Sequence, residues 1–246
     1  MTEQGMTYRG FHYRWTLPVL AALGVAWYQI DGDVLTLGIL AALCVVVIGF
    51  TFPWDNWAVE QGIWDFPEGR LLFRIRSLPI EEISFFVIQT LQVAFATAIL
   101  CRLLPSQQLS PVSFTSDVGI RIGVTLGLWL ILGRMTRTWR AAHRSFRYAW
   151  HLGYWFLPII VLQWLFGAGM LMPRLDVIIY ATLIIGTYLS VADVWAVRRG
   201  IWFFDHAQTT GHRIATILPW EEVAFFYMTS LLVAQSAILL VPAAHP

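Results

Sequence analysis

The 246-residue chain contains no lysine; all sixteen of its basic side chains are arginines. Without a lysine amine there can be no Schiff base to a retinal-type aldehyde, which removes the photoreceptor class of helical membrane proteins. Charge of either sign is scarce, at 13% of residues, about half of what a soluble globular domain carries. A water-soluble fold of this size would lack the polar surface to cover the 58% of residues that are hydrophobic. Cysteine is almost missing too. Cys44 and Cys101 lie inside apolar runs, so neither a disulfide framework nor a thiolate metal site is expected, and both read as small packing residues. No G-x-G-x-x-G fingerprint follows any strand-like segment, which leaves flavin and nicotinamide use without support. No nucleic-acid partner is expected.

What the chain does have is length of hydrophobic run. Val34 to Phe52, Ile83 to Cys101, Leu152 to Pro173 and Val223 to Ala244 are each close to the roughly 20 residues a helix needs to cross the hydrocarbon core. Trp15 to Ile30, Val118 to Gly133 and Val177 to Ala192 are shorter, and tilt or interfacial aromatics accommodate them. Backbone in lipid must satisfy its own hydrogen bonds, so runs of this length are helices. The expectation is an all-α, multi-pass membrane protein with about seven transmembrane helices, in contact with membrane lipids. The first run is not a signal peptide: Pro18 lies near its start, and Asp31-Gly32-Asp33 leads straight into a second run.

Counting arginines through seven crossings places thirteen on the side of the N-terminus: Arg9, Arg14, Arg70, Arg74, Arg76, Arg134, Arg137, Arg140, Arg144, Arg147, Arg198, Arg199 and Arg213. Arg102 and Arg174 fall opposite, and Arg121 sits just inside the fourth run, from where it can snorkel. The positive-inside rule then makes the N-terminus cytoplasmic; in a bacterial or archaeal cell the host membrane would be the plasma membrane.

The sequence also repeats itself. Asp55 to Trp64 and Asp193 to Trp202 share D-x-W-A-V-x-x-G-I-W, 138 residues apart; Leu78 to Phe86 and Leu218 to Phe226 share L-P-x-E-E-x-x-F-F, 140 apart. Each copy reads helix, helix, motif loop, helix, and a fourth helix between the copies restores the orientation, so the repeats are parallel. The expected division is a first repeat over 1–110, a linking helix and basic loop over 111–150, and a second repeat over 151–246. Each Asp is expected to close a helix and each Pro-x-Glu-Glu to open the next, so that the acids from both copies meet around one cavity.

Pro79 and Pro219 suit a helix start, where a missing N–H costs nothing, and Glu81, Glu82, Glu221 and Glu222 complement the helix dipole there. Yet a double acid followed at once by Phe85-Phe86 or Phe225-Phe226 at the head of an apolar helix is also a place for proton chemistry. Neighbouring carboxyls in one site can divide the roles of acid and base. Asp55 and Asp193 are further candidates, or else buried acceptors tying the loop to a tryptophan or an arginine. Trp57, Trp64, Trp195 and Trp202 lie in the motifs and can face a cationic intermediate. His143, His151, His206 and His212 have no metal-ligand spacing and read as surface or hydrogen-bonding residues, so no metal site is expected.

The doubled motif pair resembles the lycopene cyclase domain of the small membrane carotenoid cyclases, over both repeats and nearly the whole chain. The resemblance implies a lycopene β-cyclase whose substrate is lycopene or a related linear carotene drawn from the lipid phase. The terminal alkene is protonated, the neighbouring alkene attacks the cation, and loss of a ring proton leaves a β-ring, giving γ- or β-carotene without a cofactor. It implies that Glu81, Glu82, Glu221 and Glu222 carry the proton chemistry. The layout is also similar to UbiA-type prenyltransferases, but those need clustered aspartates to hold magnesium diphosphate, and each motif here has one. A non-enzymatic carotenoid-binding protein is the remaining alternative.

Overall fold

The structure, a computed structural model, describes residues 6–107 and 117–241, without the side chains at 136 and 139–142. The expected boundary at 110/111 and the expected end of the last span at Ala244 lie outside the described residues. Helix α1 (Tyr8–Phe11), a π-helical turn (His12–Thr16) and α2 (Leu17–Ile30) run on without a break. They are followed by α3 (Val34–Glu60), α4 (Ile80–Leu103), α5 (Val118–Ala142), α6 (Arg147–Leu171), α7 (Leu175–Arg198) and α8 (Trp220–Leu240). Among the described residues five helical stretches are long and apolar enough to cross a membrane: Val34–Glu60, Ile80–Leu103, Val118–Met135, Arg144–Arg198 and Trp220–Leu240. The protein is therefore a helical membrane protein. The expected boundary at 150/151 would cut α6 after its first turn.

Local chemistry explains where the helices begin and end. Asp33 caps α3, accepting from the Thr36 N–H at 2.9 Å and the Thr36 hydroxyl at 3.0 Å. These two bonds hold the Asp33 carboxyl below the usual carboxylate range. Asp55 and Asp193, expected to close their helices, are instead followed by several more helical residues. The chain leaves α3 at Gly62 (φ +65°) and α7 at Gly200 (φ +63°). The N–H groups of Gly62 and Ile63 return to the carbonyls of Val59 and Ala58, and those of Gly200 and Ile201 to Val197 and Ala196. This double closure needs a left-handed residue that only glycine adopts without strain. It is the physical content of the repeated A-V-x-x-G-I.

Between helices the motif loops form three two-stranded ladders. β2 (Arg74–Ile75) pairs with β3 (Leu78–Pro79), and β5 (Arg213–Ile214) with β6 (Leu218–Pro219), each a hairpin feeding the next helix. Pro79 and Pro219 sit one residue before α4 and α8, in extended backbone. The third ladder crosses between the copies: β1 (Trp64–Asp65) runs antiparallel to β4 (Phe203–Phe204), with Asp65 opposite Phe203. These two residues are equivalent in the repeat, so the copies meet about a local twofold axis. On the same axis the Gln89 amide donates to the Thr229 hydroxyl at 2.6 Å, again equivalent positions.

The two loops also clamp one another. The Arg70 guanidinium donates to the carbonyls of Arg199 and Gly200 at 2.5 and 2.6 Å. The Gln208 amide donates to those of Gln61 and Gly62, both at 3.0 Å. Arg70 and Gln208 are themselves equivalent, so each copy holds the other's helix terminus. α4 and α8 pack together at the centre, α2 and α3 around α4, and α6 and α7 around α8; α5 lies outside against α6.

Candidate active site

The cavity at the head of α4 and α8 is narrow, with about 30 Å³ of free room, enough for roughly two water molecules before the walls part. Its wall carries three carboxylates, Asp55, Glu82 and Glu222, set among Trp54, Trp64, Trp202, Phe85, Phe225 and Phe226. Trp54 stacks on Phe225 at 5.3 Å, and Phe85 meets Phe226 edge-on at 6.1 Å. Electron-rich ring faces around acids suit a site where positive charge appears and disappears.

Each Pro-x-Glu-Glu splits its two acids. Successive helical residues point about 100° apart, so only one of each pair can face the axis. Glu82 and Glu222 turn to the cavity. Glu81 and Glu221 turn back to the loop: Oε1 of Glu81 accepts the Leu72 N–H at 2.9 Å, and Oε1 of Glu221 the Thr210 N–H at 2.6 Å. Both are buried, and among the described residues their second oxygen has no hydrogen-bond partner. They fasten the strand that leads into the helix.

The cavity glutamates are held by tyrosines. The Tyr8 hydroxyl donates to Oε2 of Glu82 at 2.5 Å, and the Tyr148 hydroxyl donates to Oε2 of Glu222. Above each tyrosine lies a tryptophan from the opposite copy, Trp202 at 5.0 Å from Tyr8 and Trp64 at 5.1 Å from Tyr148. Sequence reasoning passes over both tyrosines. The signal for them is a third repeated pattern, Y-x6-W-x-L-P, at Tyr8-Trp15-Leu17-Pro18 and Tyr148-Trp155-Leu157-Pro158, 140 residues apart. Its second copy begins in the stretch assigned to the linker.

The two aspartates differ. Asp193 accepts the Trp202 indole N–H at 2.6 Å and stands within electrostatic range of Glu82 and Glu222 without lining the cavity. Asp55 lines it, and neither of its buried oxygens has a hydrogen-bond partner among the described residues. Trp64, the counterpart of Trp202, is near enough to interact with Asp55 yet short of hydrogen-bond geometry.

Trp57 and Trp195 stay outside the cavity. Trp57 packs on His151 at 4.2 Å beside a cleft among α3, α5 and α6. Trp195 lies against Trp15 at 5.7 Å, with the guanidinium groups of Arg14 and Arg199 over its ring. In D-x-W the tryptophan sits two residues past the aspartate, some 200° round the helix, and so faces the opposite way. Among the described residues no three His, Cys, Asp or Glu side chains converge to hold a metal ion.

The fold and this cavity together define a helical membrane protein with carboxyl–tyrosine pairs in an aromatic chamber, an arrangement suited to acid–base chemistry on an apolar molecule. Comparison with known proteins makes the class particular. The chain is 34% identical over 226 residues, 90% of both chains, to the lycopene beta-cyclase of Halobacterium salinarum. It is 27% identical over 244 residues to a bifunctional lycopene cyclase/phytoene synthase of Arthroderma gypseum and 30% identical over 244 residues to that of Sporisorium reilianum. It covers 93% and 94% of itself in these matches but only 40% and 34% of those longer proteins. No family model and no solved structure matches. The chain belongs to the lycopene beta-cyclase family.

Proposed function

We propose that this enzyme cyclises the linear ends of lycopene to β-rings in a single composite active site at the head of α4 and α8. One observation carries the reading: Glu82 and Glu222, one from each copy, line the same aromatic cavity. A protonated glutamate gives its proton to the terminal alkene of the substrate. The resulting tertiary cation is attacked by the neighbouring alkene, which closes the six-membered ring, and a carboxylate removes the ring proton. A proton is added and a proton is lost, so the reaction is an isomerisation. Asp55 supplies a third carboxyl to the chamber, and Glu81 and Glu221 anchor the loops. The test is expression in a lycopene-accumulating host with chromatography of the pigments. Monocyclic and bicyclic carotenes are expected, and unchanged lycopene would overturn the assignment.

We read seven crossings in two parallel three-helix copies. α6 and α7 both pack along α8, which has only 21 residues, so the chain turns back at Met172–Arg174 and the stretch 144–198 counts twice. The unbroken helix ending at Ile30 supplies the seventh. The arginine asymmetry supports a cytoplasmic N-terminus. A cysteine placed at Ser106 should then label from the outer face, against a background of two buried native cysteines. Labelling only from the cytoplasm would reverse the topology.

A further inference from the structure

Resting on that cyclase reading, we propose that Tyr8 and Tyr148 are positioning residues that fix which oxygen of Glu82 and of Glu222 carries the reactive proton. Each phenol donates to Oε2 of its glutamate, and among the described residues it is the carboxyl's sole hydrogen-bond partner. Oε1 is left free of protein donors on a side chain that lines the cavity. In a protonated carboxyl the oxygen that accepts a hydrogen bond is the carbonyl oxygen, so the acid O–H belongs to Oε1. The tyrosine thereby sets the proton on the oxygen left to meet the substrate.

The same bond favours the proton's departure. Before transfer the phenol bonds a neutral acid; afterwards it bonds a carboxylate, and a charge-assisted bond is about twice as strong. The gain appears only as charge develops, which is the condition for an interaction to speed the chemical step. The Oε1–H bond breaks, a C–H bond forms on the terminal alkene, and the tyrosine keeps its own proton. When a ring C–H is later broken, its proton returns to a carboxylate oxygen and restores the acid. No oxidant or reductant enters.

Two further features fit this role. The tyrosine and glutamate are 74 residues apart in both copies, so the pair is duplicated as a unit. Each tyrosine ring is also packed by the opposite copy's tryptophan, Trp202 on Tyr8 and Trp64 on Tyr148. One half's acid is thus aimed by the other half's loop.

The test uses the full-length protein in lycopene-containing liposomes. Tyr8→Phe and Tyr148→Phe keep the stacked ring and remove the donor. Each should lower kcat by about 10- to 100-fold, somewhat less than loss of an oxyanion-hole donor, with KM for lycopene unchanged. 3-Fluorotyrosine at the same position keeps both ring and hydroxyl and should restore kcat to within a few-fold of wild type. A purely structural tyrosine would behave otherwise: kcat unchanged in the Phe variants, a rise in KM alone, or 3-fluorotyrosine no better than Phe. Any of these overturns the proposal while leaving the cyclase reading intact. A wild-type protein that leaves lycopene unconverted would instead sink the cyclase reading, and this proposal with it.

Discussion

The two halves of the chain share a frame and differ in what surrounds it. Both end their second helix at a left-handed glycine followed by isoleucine, and both tie a tyrosine to the second glutamate of Pro-x-Glu-Glu. Around that frame they diverge. Asp193 is hydrogen-bonded to Trp202, whereas Asp55 lines the cavity beside Trp64 with no hydrogen bond of good geometry among the described residues. His12, whose ring bonds Thr16 and the Glu81 carbonyl, stands where the second copy has Leu152; His151, stacked on Trp54, stands where the first has Phe11. Helix α5 packs chiefly on α6, in the second copy. The two halves share the residues of the glutamate–tyrosine pairs, and at the crossed clamp they share the geometry but not the residue, Arg70 against Gln208. That mixture is the pattern expected if the halves complete each other.

The strongest test of that comparison removes one acid at a time. Glu82→Gln and Glu222→Gln keep size and hydrogen bonding but cannot deliver a proton, and general acid catalysis is worth about 10²- to 10⁴-fold in rate. In a composite site each substitution alone should abolish monocyclic and bicyclic products alike, with the double variant no worse. If either single variant still formed rings efficiently, each half would have to hold a complete site of its own.

A smaller effect should separate the aspartates. Trp202→Phe strips Asp193 of its indole donor and leaves a buried carboxyl unpartnered, at a cost of about 1–3 kcal/mol beyond the lost packing. Trp64→Phe removes a comparable ring but no formed hydrogen bond, so it should cost less. Thermal unfolding of both variants in one detergent measures the gap, and equal losses would mean that the two aspartates are held alike.

The smallest effect should be symmetric. Gly62→Ala and Gly200→Ala each force a left-handed backbone on a residue with a Cβ, at about 1–2 kcal/mol. The added methyl meets nothing within 4 Å at Gly62 and only the flexible Arg70 side chain at Gly200. The two losses should therefore agree to within a few tenths of a kcal/mol, a resolution good enough to expose any inequality in the frame itself.

Much of this was legible in the residues. The repeated D-x-W-A-V-x-x-G-I-W and L-P-x-E-E-x-x-F-F marked both motif loops and their acids, because loop closure and helix initiation depend on local residue types. The repeated Y-x6-W-x-L-P marks the two tyrosines, but it does not name their partners, which lie 74 positions further along the chain. Trp57 and Trp195 lie outside the chamber of Glu82 and Glu222, since a motif gives neighbours along the chain but not the face each one presents.

The sequence by itself determined the membrane class and displayed the repeated motifs with their four glutamates, since hydropathy, repetition and helix-start chemistry are all properties of short stretches. Only the tertiary structure decided which glutamate of each pair meets the cavity, which tyrosine holds it, and that Asp193 is bonded while Asp55 is not. Those choices depend on the rotation of α3, α4, α7 and α8 about their axes and on two loops crossing at a local twofold. That geometry comes from packing among segments more than a hundred residues apart, and no stretch of sequence contains it.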